Sequence, residues 1–587
     1  STTTYTRYAK DGTCNSFTLS SGSWVVTVRP NFTSGTIAST GETICYNGNP
    51  SSIGSTTAAS GGDNNITYKW QANGSDIANS NSASYDPPAG LTASTTYTRY
   101  AKDGSCNDFT LSSGSWLVTV DPASVGGTIT GTSPITYGSA TGNLSLSGQT
   151  GDIQKWQKKF GTGSWSDIAN PNAIYSETPS AAGTWYYRAE VKSGVCSAVN
   201  SDEYTLTVNK KALSISADNK SKDYDGLVYS PFTVSYYGFV LSENSANLTG
   251  SLSYSGTATT ATDIGTYVII PSGYTSDNYQ ITYTNGSLQI NCANIVNVAN
   301  NANSGYGSLR NAIANVCDNG KITFSNSTNN QSITLTTGSL VIDKNISLDN
   351  SNHSNGITIT GSGNNLTINT GKSLTLASGS KITVSGAIVN NAGTSGLVIE
   401  SGASFIHNTV DLQATIKRYL NNGWHLIGSP FKKTLYTVSN IAPSGGSLQI
   451  RPYTNGTNWQ SDVTSMYTYL LPTTGYAVKP SANYTMTLAG NLYYSNISFD
   501  NTVALTYNGT SATQSWNLLA NPYPSNIDFK QLTRTNLSPS LYIWDNALYP
   551  NITPVVNATY FRTYNTVSNV GVPSGTTSII APMQGFF

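Results

Sequence analysis

Few residues in this chain of 587 are suited to acid–base, metal or nucleophilic chemistry. It has three histidines, and the 29 acidic residues equal the 29 basic ones. Cleavage of polysaccharides needs converging carboxylates or a base that abstracts a proton. Between Ile322 and Asn408 the acidic residues are only Asp343, Asp349 and Glu400. Asp343 and Asp349 could approach each other, but their positions favour solvated turns, and we expect no catalytic role.

The other candidate sites are equally sparse. His353 and His407 have no partners at metal-ligand spacing, and His425 is expected to be an ordinary strand residue. The cluster from Asp223 to Gly226 lacks the spaced ligands and distal Glu of an EF-hand loop, which favours a structural turn. No GxSxG, HExxH, P-loop or Rossmann fingerprint has supporting context. We expect no metal and no cofactor.

The six cysteines occur at spacings that favour disulfides in an oxidising compartment over a zinc site. Charged residues make up only 10% of the chain, so no basic field would attract nucleic acid. No apolar run approaches the length of a transmembrane helix. The abundance of Tyr, Thr, Ser, Asn and Gly is typical of exposed β-sheet. These features indicate an exported, extracellular protein that does not bind nucleic acid.

The elements that would position any site begin with a repeat of about 90 residues. Thr3 to Val28 returns as Thr95 to Val120 with three differences, and a diverged copy ends near Cys196. Turn signals divide each copy into short strands, as in a seven-stranded sandwich. We expect complete repeats at residues 31–121 and 122–209, and the closing strands of another repeat at residues 1–30.

The early Cys, central Trp and late Tyr-rich strand of these repeats resemble an immunoglobulin-like sandwich. ICYNGNPSSIGSTTAASGG, followed by YKWQ and YDPPAGLTASTTYTRYA, resembles the Ig-like repeats of large surface proteins of Bacteroidota. In residues 210–291, KALSISADNKSKDYDG and NYQITYTNGSLQI resemble the YDG-type MBG repeats of bacterial adhesins. The resemblance implies an all-β surface protein.

Residues 292–410 contain the best helix signal and a series of short strands. Leu309, Ile313 and Val316 share one helical face, and Ser308 is a candidate N-cap. The strand runs that follow cannot bury a face alone but can stack into a continuous core. SGYGSLRNAI resembles the start of right-handed parallel β-helix domains, which implies that the helix caps the open end of the coil.

Residues 411–587 contain two similar segments, WHLIGSPF and WNLLANPYP. They resemble the β-sandwich that often precedes the sorting domain of type IX secretion substrates, and we expect such a domain to follow Phe587 in the full-length protein. The resemblance implies export partners, namely the type IX translocon and outer-membrane shuttle proteins. It also allows a role as a gliding-motility adhesin attached to the outer membrane.

The repeat pattern suggests two disulfides. Cys45 and Cys106 bracket one complete repeat, and Cys292 and Cys317 flank the predicted helix. A loop of about 60 residues closed by the first bond would stabilise its repeat by roughly 4 kcal/mol in the chain-entropy model.

Two further cysteines are expected to lack a partner within the chain. Cys14 matches Cys106, so its partner would precede Ser1. Cys196 is expected to be unpaired, because Tyr137 stands near the position where its partner would lie.

A ladder of threonine hydroxyls on the strands of the coil could contact glycans. Four threonines alternate with Ile, Leu or Val, so their side chains point away from the apolar face. The predicted ladder consists of Thr358, Thr367, Thr375 and Thr383. The interpretation that we favour is that Thr is simply a common residue on an exposed strand.

We therefore predict an all-β protein of tandem sandwiches, an MBG-type module, a short right-handed parallel β-helix with a capping helix, and a C-terminal β-sandwich region. The predicted function is a non-catalytic adhesin or stalk that attaches to surfaces or glycans at the cell surface. The alternatives are a carbohydrate-active enzyme and a purely structural spacer.

Overall fold

The computed structural model describes residues 1–13, 16–104, 108–328, 331–361, 363–432, 434–454, 459–463, 467–494, 505, 515–547, 549 and 560–587. The chain divides into two compact units. The first comprises Ser1–Ser216, Ser235–Ser253 and Ser272–Thr284. The second comprises Ala217–Val234, Tyr254–Pro271 and Asn285–Phe587. Strands dominate both units, so the predicted all-β class is confirmed.

The first unit begins with an antiparallel hairpin of β1 (Thr3–Ala9) and β2 (Thr18–Val26). Its aromatic side chains are exposed, with Tyr5 at 60% and Trp24 at 74%. Tyr97, which matches Tyr5 in the complete repeat, is only 2% exposed. The same sequence is thus exposed in the hairpin and buried in the repeat at residues 31–121.

The first repeat consists of two sheets around one core. Its strands are β3 (Thr36–Ile37), β4 (Glu42–Cys45), β5 (Ser55–Thr57), β6 (Thr67–Ala72), β7 (Ser75–Asp76), β8 (Thr95–Lys102), β9 (Thr110–Leu111) and β10 (Trp116–Asp121). One sheet pairs β3 with β5, and the other has the order β4-β10-β8-β6-β7, with β9 on β8. Ile37 and Ile53 pack against the fully buried Trp70 in the core between them.

The second repeat has the same strand order. Its strands are β11 (Thr128–Thr130), β12 (Ile135–Thr136), β13 (Leu144–Ser147), β14 (Asp152–Phe160), β15 (Ser166–Ile168), β16 (Ile174–Tyr175), β17 (Gly183–Lys192), β18 (Val199–Asn200) and β19 (Tyr204–Asn209). The sheets are β12-β19-β17-β14-β15, with β18 on β17, and β11-β13-β16. Cys45 is paired with Asp121 and Thr136 with Asn209, so Thr136 occupies the position of Cys45.

The third module supplies a sheet with the order β22-β20-β25 and another with the order β21-β26-β24-β23. Its strands are β20 (Lys211–Ala217), β21 (Lys220–Asp223), β22 (Val234–Tyr237), β23 (Thr249–Ser255), β24 (Gly265–Thr275), β25 (Tyr279–Thr284) and β26 (Gly286–Asn291). β20 pairs in parallel with β25, and β21 pairs in parallel with β26.

Three parallel sheets follow, and the chain visits them in turn. We call this region the three-sheet stack. Its elements are β27 (Ala293–Val298), α1 (Leu309–Asn315), β28 (Val316–Phe324), β29 (Ser332–Leu335), β30 (Leu340–Ile342), β31 (Ile346–Asp349), β32 (Ile357–Gly361), β33 (Leu366–Ile368), β34 (Leu374–Leu376), β35 (Lys381–Val384), β36 (Ile388–Asn390), β37 (Leu397–Ile399), β38 (Ser404–His407) and β39 (Gln413–Leu420). The sheets are β27-β28-β31-β34-β37-β39, β29-β32-β35-β38 and β30-β33-β36.

Helix α1 is held at both ends. Ser308 is the N-cap, as predicted, and its hydroxyl accepts a hydrogen bond from the backbone N–H of Asn311. At the other end the Lys344 ammonium donates to the backbone oxygens of Ile313 (3.1 Å), Ala314 (2.7 Å) and Val316 (2.9 Å). The apolar spacing of Leu309, Ile313 and Val316 suggested a helix that includes Val316. In the structure α1 ends at Asn315, and Val316 is the first residue of β28.

The C-terminal region contains β40 (His425–Ile427), β41 (Thr434–Thr437), α2 (Val438–Ile441), β42 (Leu448–Pro452), β43 (Tyr467–Leu470), β44 (Tyr476–Pro480), β45 (Tyr484–Asn491), β46 (Leu519–Ala520), β47 (Ile527–Asp528), β48 (Ser540–Trp544), β49 (Phe561–Asn565), β50 (Val570–Val572), β51 (Ile579–Ile580) and β52 (Gly585–Phe586). β39 pairs in parallel with β37 and antiparallel with β45. One sheet therefore continues across the expected boundary at residue 410.

Candidate functional site at the module joints and outer sheet faces

The two repeats are joined by a disulfide between Cys45 and Cys196, with an S–S distance of 2.10 Å and a Cα–Cα distance of 4.8 Å. The predicted Cys45–Cys106 bond and the unpaired Cys196 are therefore wrong. Cys106 lies outside the described residues, as does Cys14. The prediction assumed that each repeat closes on itself, whereas the end of β4 meets the turn that follows β17 in the next repeat.

The disulfide lies within a hydrogen-bonded turn. The backbone N–H of Val195 donates to Asp121 Oδ2 at 2.9 Å, and that of Ser193 donates to Ser124 Oγ at 2.9 Å. Gly194 has a φ of 47°, and a Cβ there would overlap the Asp121 carboxylate. The residues that connect the repeats therefore also position Cys196 beside Cys45.

A second joint surrounds Tyr137, the residue after Thr136. Its hydroxyl donates to Glu243 Oε1 at 2.9 Å, and the hydroxyl of Tyr279 donates to Glu243 Oε2 at 2.5 Å. The two tyrosine rings meet edge to face with centroids 5.6 Å apart. Burial, together with the bond to and negative charge of Glu243, raises the pKa of Tyr137 and of Tyr279 to about 12. Both hydroxyls therefore remain donors at physiological pH.

A pair of cysteines also brackets α1. Cys292 and Cys317 are joined, with an S–S distance of 2.02 Å and a sequence separation of 25. This is the pair that the sequence suggested. It connects the residue before β27 to the second residue of β28, so it ties together the strands on either side of the helix.

The predicted threonine ladder does not form. Thr358 and Thr383 are neighbours in β32 and β35, but Thr367 in β33 pairs with Val341 and Val389. Thr375 lies in a third sheet. Successive strands of the stack lie on different sheets, so residues one strand apart cannot align.

A set of hydroxyls that includes two of the predicted residues, Thr358 and Thr383, does align on the sheet of β29, β32 and β35. Ser332 pairs with Thr358, and Thr358 pairs with Thr383. Thr334 pairs with Thr360, and their hydroxyls are 3.1 Å apart. We call these five residues the hydroxyl face. These residues lie on every third strand, because the chain passes through all three sheets before it returns to the same one. A search for hydroxyl residues on every third strand would have identified them.

The carboxylates considered for catalysis are in ordinary environments. Asp349 forms an ion pair with Lys321 at 3.1 Å and accepts hydrogen bonds from the backbone and hydroxyl of Ser351. Burial raises the pKa of Asp349, but these bonds and the lysine charge outweigh it and hold the pKa below its usual value. A general acid for glycoside cleavage needs the opposite shift. Asp343 is exposed after β30.

The three histidines are buried or partly buried. His353 is buried and bonded to Ser325 O at 2.8 Å, and His407 stacks on Phe405. Burial lowers the pKa of His407 and of His425 to about 4. In the part of the chain that the structure describes, no group of three His, Cys, Asp or Glu is placed to hold a metal ion. The described helices also include none with the length and apolar character needed to cross a membrane.

These features define a class of protein, a series of β-modules joined by covalent and buried polar contacts. Residues 33–122 and 125–210 each match the domain of unknown function DUF8696, and residues 338–587 match the domain of unknown function DUF8693. Residues 213–289 match the MBG domain (YGX type). The prediction of an MBG module is therefore confirmed. Tandem β-repeats and an MBG domain are consistent with an adhesion or structural extracellular protein, as are the two disulfides.

Several solved structures of tandem domains are similar to this chain over part of its length. Immunoglobulin domains 1–4 of Sidekick-1 are 14% identical, with a TM-score of 0.20, over 46% of this chain and 78% of that one. The FN1–FN3 domains of chicken CNTN1 are 12% identical, with a TM-score of 0.18, over 45% and 99%. The four N-terminal Ig domains of Dscam1 isoform 9.44 are 10% identical, with a TM-score of 0.16, over 44% and 73%. No curated protein matches the chain.

Proposed function

We propose that the chain is a non-catalytic extracellular adhesin or stalk that attaches a cell to surfaces or glycans. The observation that supports it best is the Cys45–Cys196 bond, because a covalent link between successive modules suits a chain that holds a cell to a surface. The proposal includes a Bacteroidota origin, export through the type IX translocon and its outer-membrane shuttle proteins, attachment at the outer membrane, and service in gliding motility. These finer points rest on the resemblances of the sequence.

The proposal also assigns a parallel β-helix to residues 292–410. Support comes from the order in which the chain enters the three parallel sheets and from the apolar residues that each strand turns inward, such as Ile346, Leu374 and Leu397. A solenoid of this kind presents flat outer sheets, and its core grows with each added circuit.

The hydroxyl face is the surface to which we assign glycan contact. Ser332 and Thr334 are exposed, and Thr358, Thr360 and Thr383 are half-buried. Hydroxyls at the regular spacing of neighbouring strands can exchange hydrogen bonds with sugar hydroxyls. Individual contacts of this kind are weak, so attachment would depend on many copies acting together.

The test compares the full chain with two variants on a glycan array. Thr358→Val with Thr383→Val removes hydroxyls from the hydroxyl face at nearly constant shape. Thr375→Val makes the same change on another sheet and is the matched control. We expect the double variant to lose most of the binding and the control to keep it. Equal binding by both variants would reject this surface, and no binding by the unaltered chain would favour a structural spacer.

A reducing-end assay on a polysaccharide panel tests the non-catalytic part of the proposal. We expect no release of reducing ends by the full chain. Release that is abolished by Asp343→Ala or Asp349→Ala would overturn it.

A further inference from the structure

The Cys45–Cys196 bond encloses almost the whole of both repeats. The two cysteines are 151 positions apart, yet their Cα atoms are 4.8 Å apart. Cys45 ends β4, the second strand of the first repeat, and Cys196 follows β17, so only β18 and β19 remain after it in the second repeat. Trp70 and Trp156, the largest fully buried side chains, both lie between the cysteines.

From this geometry we infer that the disulfide is a mechanical bypass. When the chain is pulled from its two sides, tension that arrives along β4 crosses from Cys45 to Cys196 through the S–S bond. Residues 46–195 then bear no tension along the backbone, because a covalent bond holds their ends together. Only the flanking segments, residues 33–44 and 197–210, can be drawn out of the repeats.

Hydrogen bonds alone would not give this protection. β4 pairs with β10 over Glu42–Cys45, and β19 pairs with β17 over Tyr204–Val208. Each backbone hydrogen bond contributes only about 1 kcal/mol net. Without the disulfide, loss of these strands would expose both repeats to unfolding. With it, both tryptophan cores keep their remaining strands while the flanking segments are stretched.

The bypass has a defined length. An extended chain spans about 3.4 Å per residue, so the enclosed segment corresponds to about 500 Å of contour. The Cys292–Cys317 bond, with a separation of 25, encloses only about 85 Å. The pairing Cys45–Cys106 suggested by the repeat pattern would enclose about 200 Å. The three lengths are easily separated.

Single-molecule stretching of the full chain, attached through its two ends, tests the inference. In the oxidised chain we expect the contour length released by unfolding of residues 31–210 to be about 500 Å less than the full length of that segment. Addition of a dithiol reductant should release that length from this region, while Cys292→Ser with Cys317→Ser should release only about 85 Å. A gain of about 200 Å, or none, from the two repeats would overturn the inference.

Two variants keep the test decisive. Cys106→Ser should leave the oxidised trace unchanged, and release of length by this substitution alone would contradict the Cys45–Cys196 assignment. Cys45→Ser should release the whole length of the bypass without reductant. If this variant does not fold, reduction of the unaltered chain while it is under load measures the same length. The result does not depend on the ligand of the proposed adhesin.

Discussion

Tyr137 and Tyr279 donate to the two oxygens of one carboxylate, that of Glu243. Tyr137 lies in the second repeat, directly after β12. Tyr279 is the first residue of β25 in the third module. The equivalent residue of the first repeat, Tyr46, makes the same backbone bond as Tyr137 but is 48% exposed, against 2% for Tyr137. The same position in the repeat is thus a surface residue in one copy and a joint in the other.

Substitution of Tyr137 by Phe should weaken this joint. The change leaves Glu243 with one fewer donor, and a hydrogen bond to a charged group contributes about 1.5–3 kcal/mol. We expect the urea midpoint of the first unit, followed by tryptophan fluorescence, to fall accordingly. Tyr46→Phe is the matched control and should change the stability by less than about 0.5 kcal/mol. Equal effects of the two substitutions would show that the Glu243 contact does not stabilise the joint.

The same joint should weaken in alkali. The pKa of Tyr137 and of Tyr279 is raised in the folded chain from 10.0 to about 12, so the folded state holds these protons more tightly than the unfolded state. Their stabilising contribution is therefore complete below pH 10 and is lost as the pH rises from about 10 to 12. Urea midpoints measured across this range should fall more steeply for the unaltered chain than for Tyr137→Phe. Parallel curves would contradict the assigned pKa shift.

Arg99 is buried in the first repeat and should not tolerate lysine. Its guanidinium is fully buried, donates to Ser112 Oγ at 3.1 Å and Ala83 O at 2.9 Å, and lies over the Tyr68 ring. Lysine cannot reproduce the planar set of donors, so Arg99→Lys should cost about 2–4 kcal/mol of unfolding free energy.

Arg7 provides the control for this change. It matches Arg99 in sequence but is exposed in the N-terminal hairpin, where it contacts Ser20 Oγ at 3.4 Å. Arg7→Lys should leave the denaturation curve unchanged within error. If both lysine variants unfold alike, burial of Arg99 does not govern the stability of the repeat.

Lys344 should be needed to hold the end of α1. Lys344→Met removes the donors to three backbone oxygens, and we expect a loss of about 1–3 kcal/mol, measured as a lower Tm of the second unit. Lys417→Met, which breaks a half-exposed ion pair with Glu400, should cost less than about 1 kcal/mol. A larger effect at Lys417 would reverse the assigned importance of the two lysines.

Local features were predictable because they depend on neighbouring residues. Ser308 caps α1 because its hydroxyl needs only a donor three residues ahead, and the alternation of Ile and Thr in β32 and β35 fixes which side chains face inward. The MBG module could be recognised because its motifs can be read from the sequence without knowledge of which strands pair.

The contacts between copies of a repeat were not predictable from the repeat alone. Cys45 and Cys106 belong to one copy, but which cysteine meets Cys45 depends on how the segment around Asp121 orients the next copy. The strand sequences do not reveal the number of sheets, so their alternation alone places Thr367 and Thr375 beside Thr358, although the three residues lie on three sheets. In both cases the local sequence pattern indicated which side chains could form a disulfide or face outward. Which residues lie next to them depends on contacts between distant parts of the chain.

The reversal of direction between β39 and β45 has a consequence for how such a chain can change in length. β39 closes the series of parallel strands, and its other edge is occupied along Gln413–Leu420 by the antiparallel β45. A further parallel strand has no free edge there, so a circuit cannot be appended at that end. Duplication of a complete circuit between β28 and β37 would leave α1, its disulfide and the β39–β45 pair unchanged. The three-sheet stack can therefore lengthen by insertion of a circuit between β28 and β37, and not by addition of a circuit after β39.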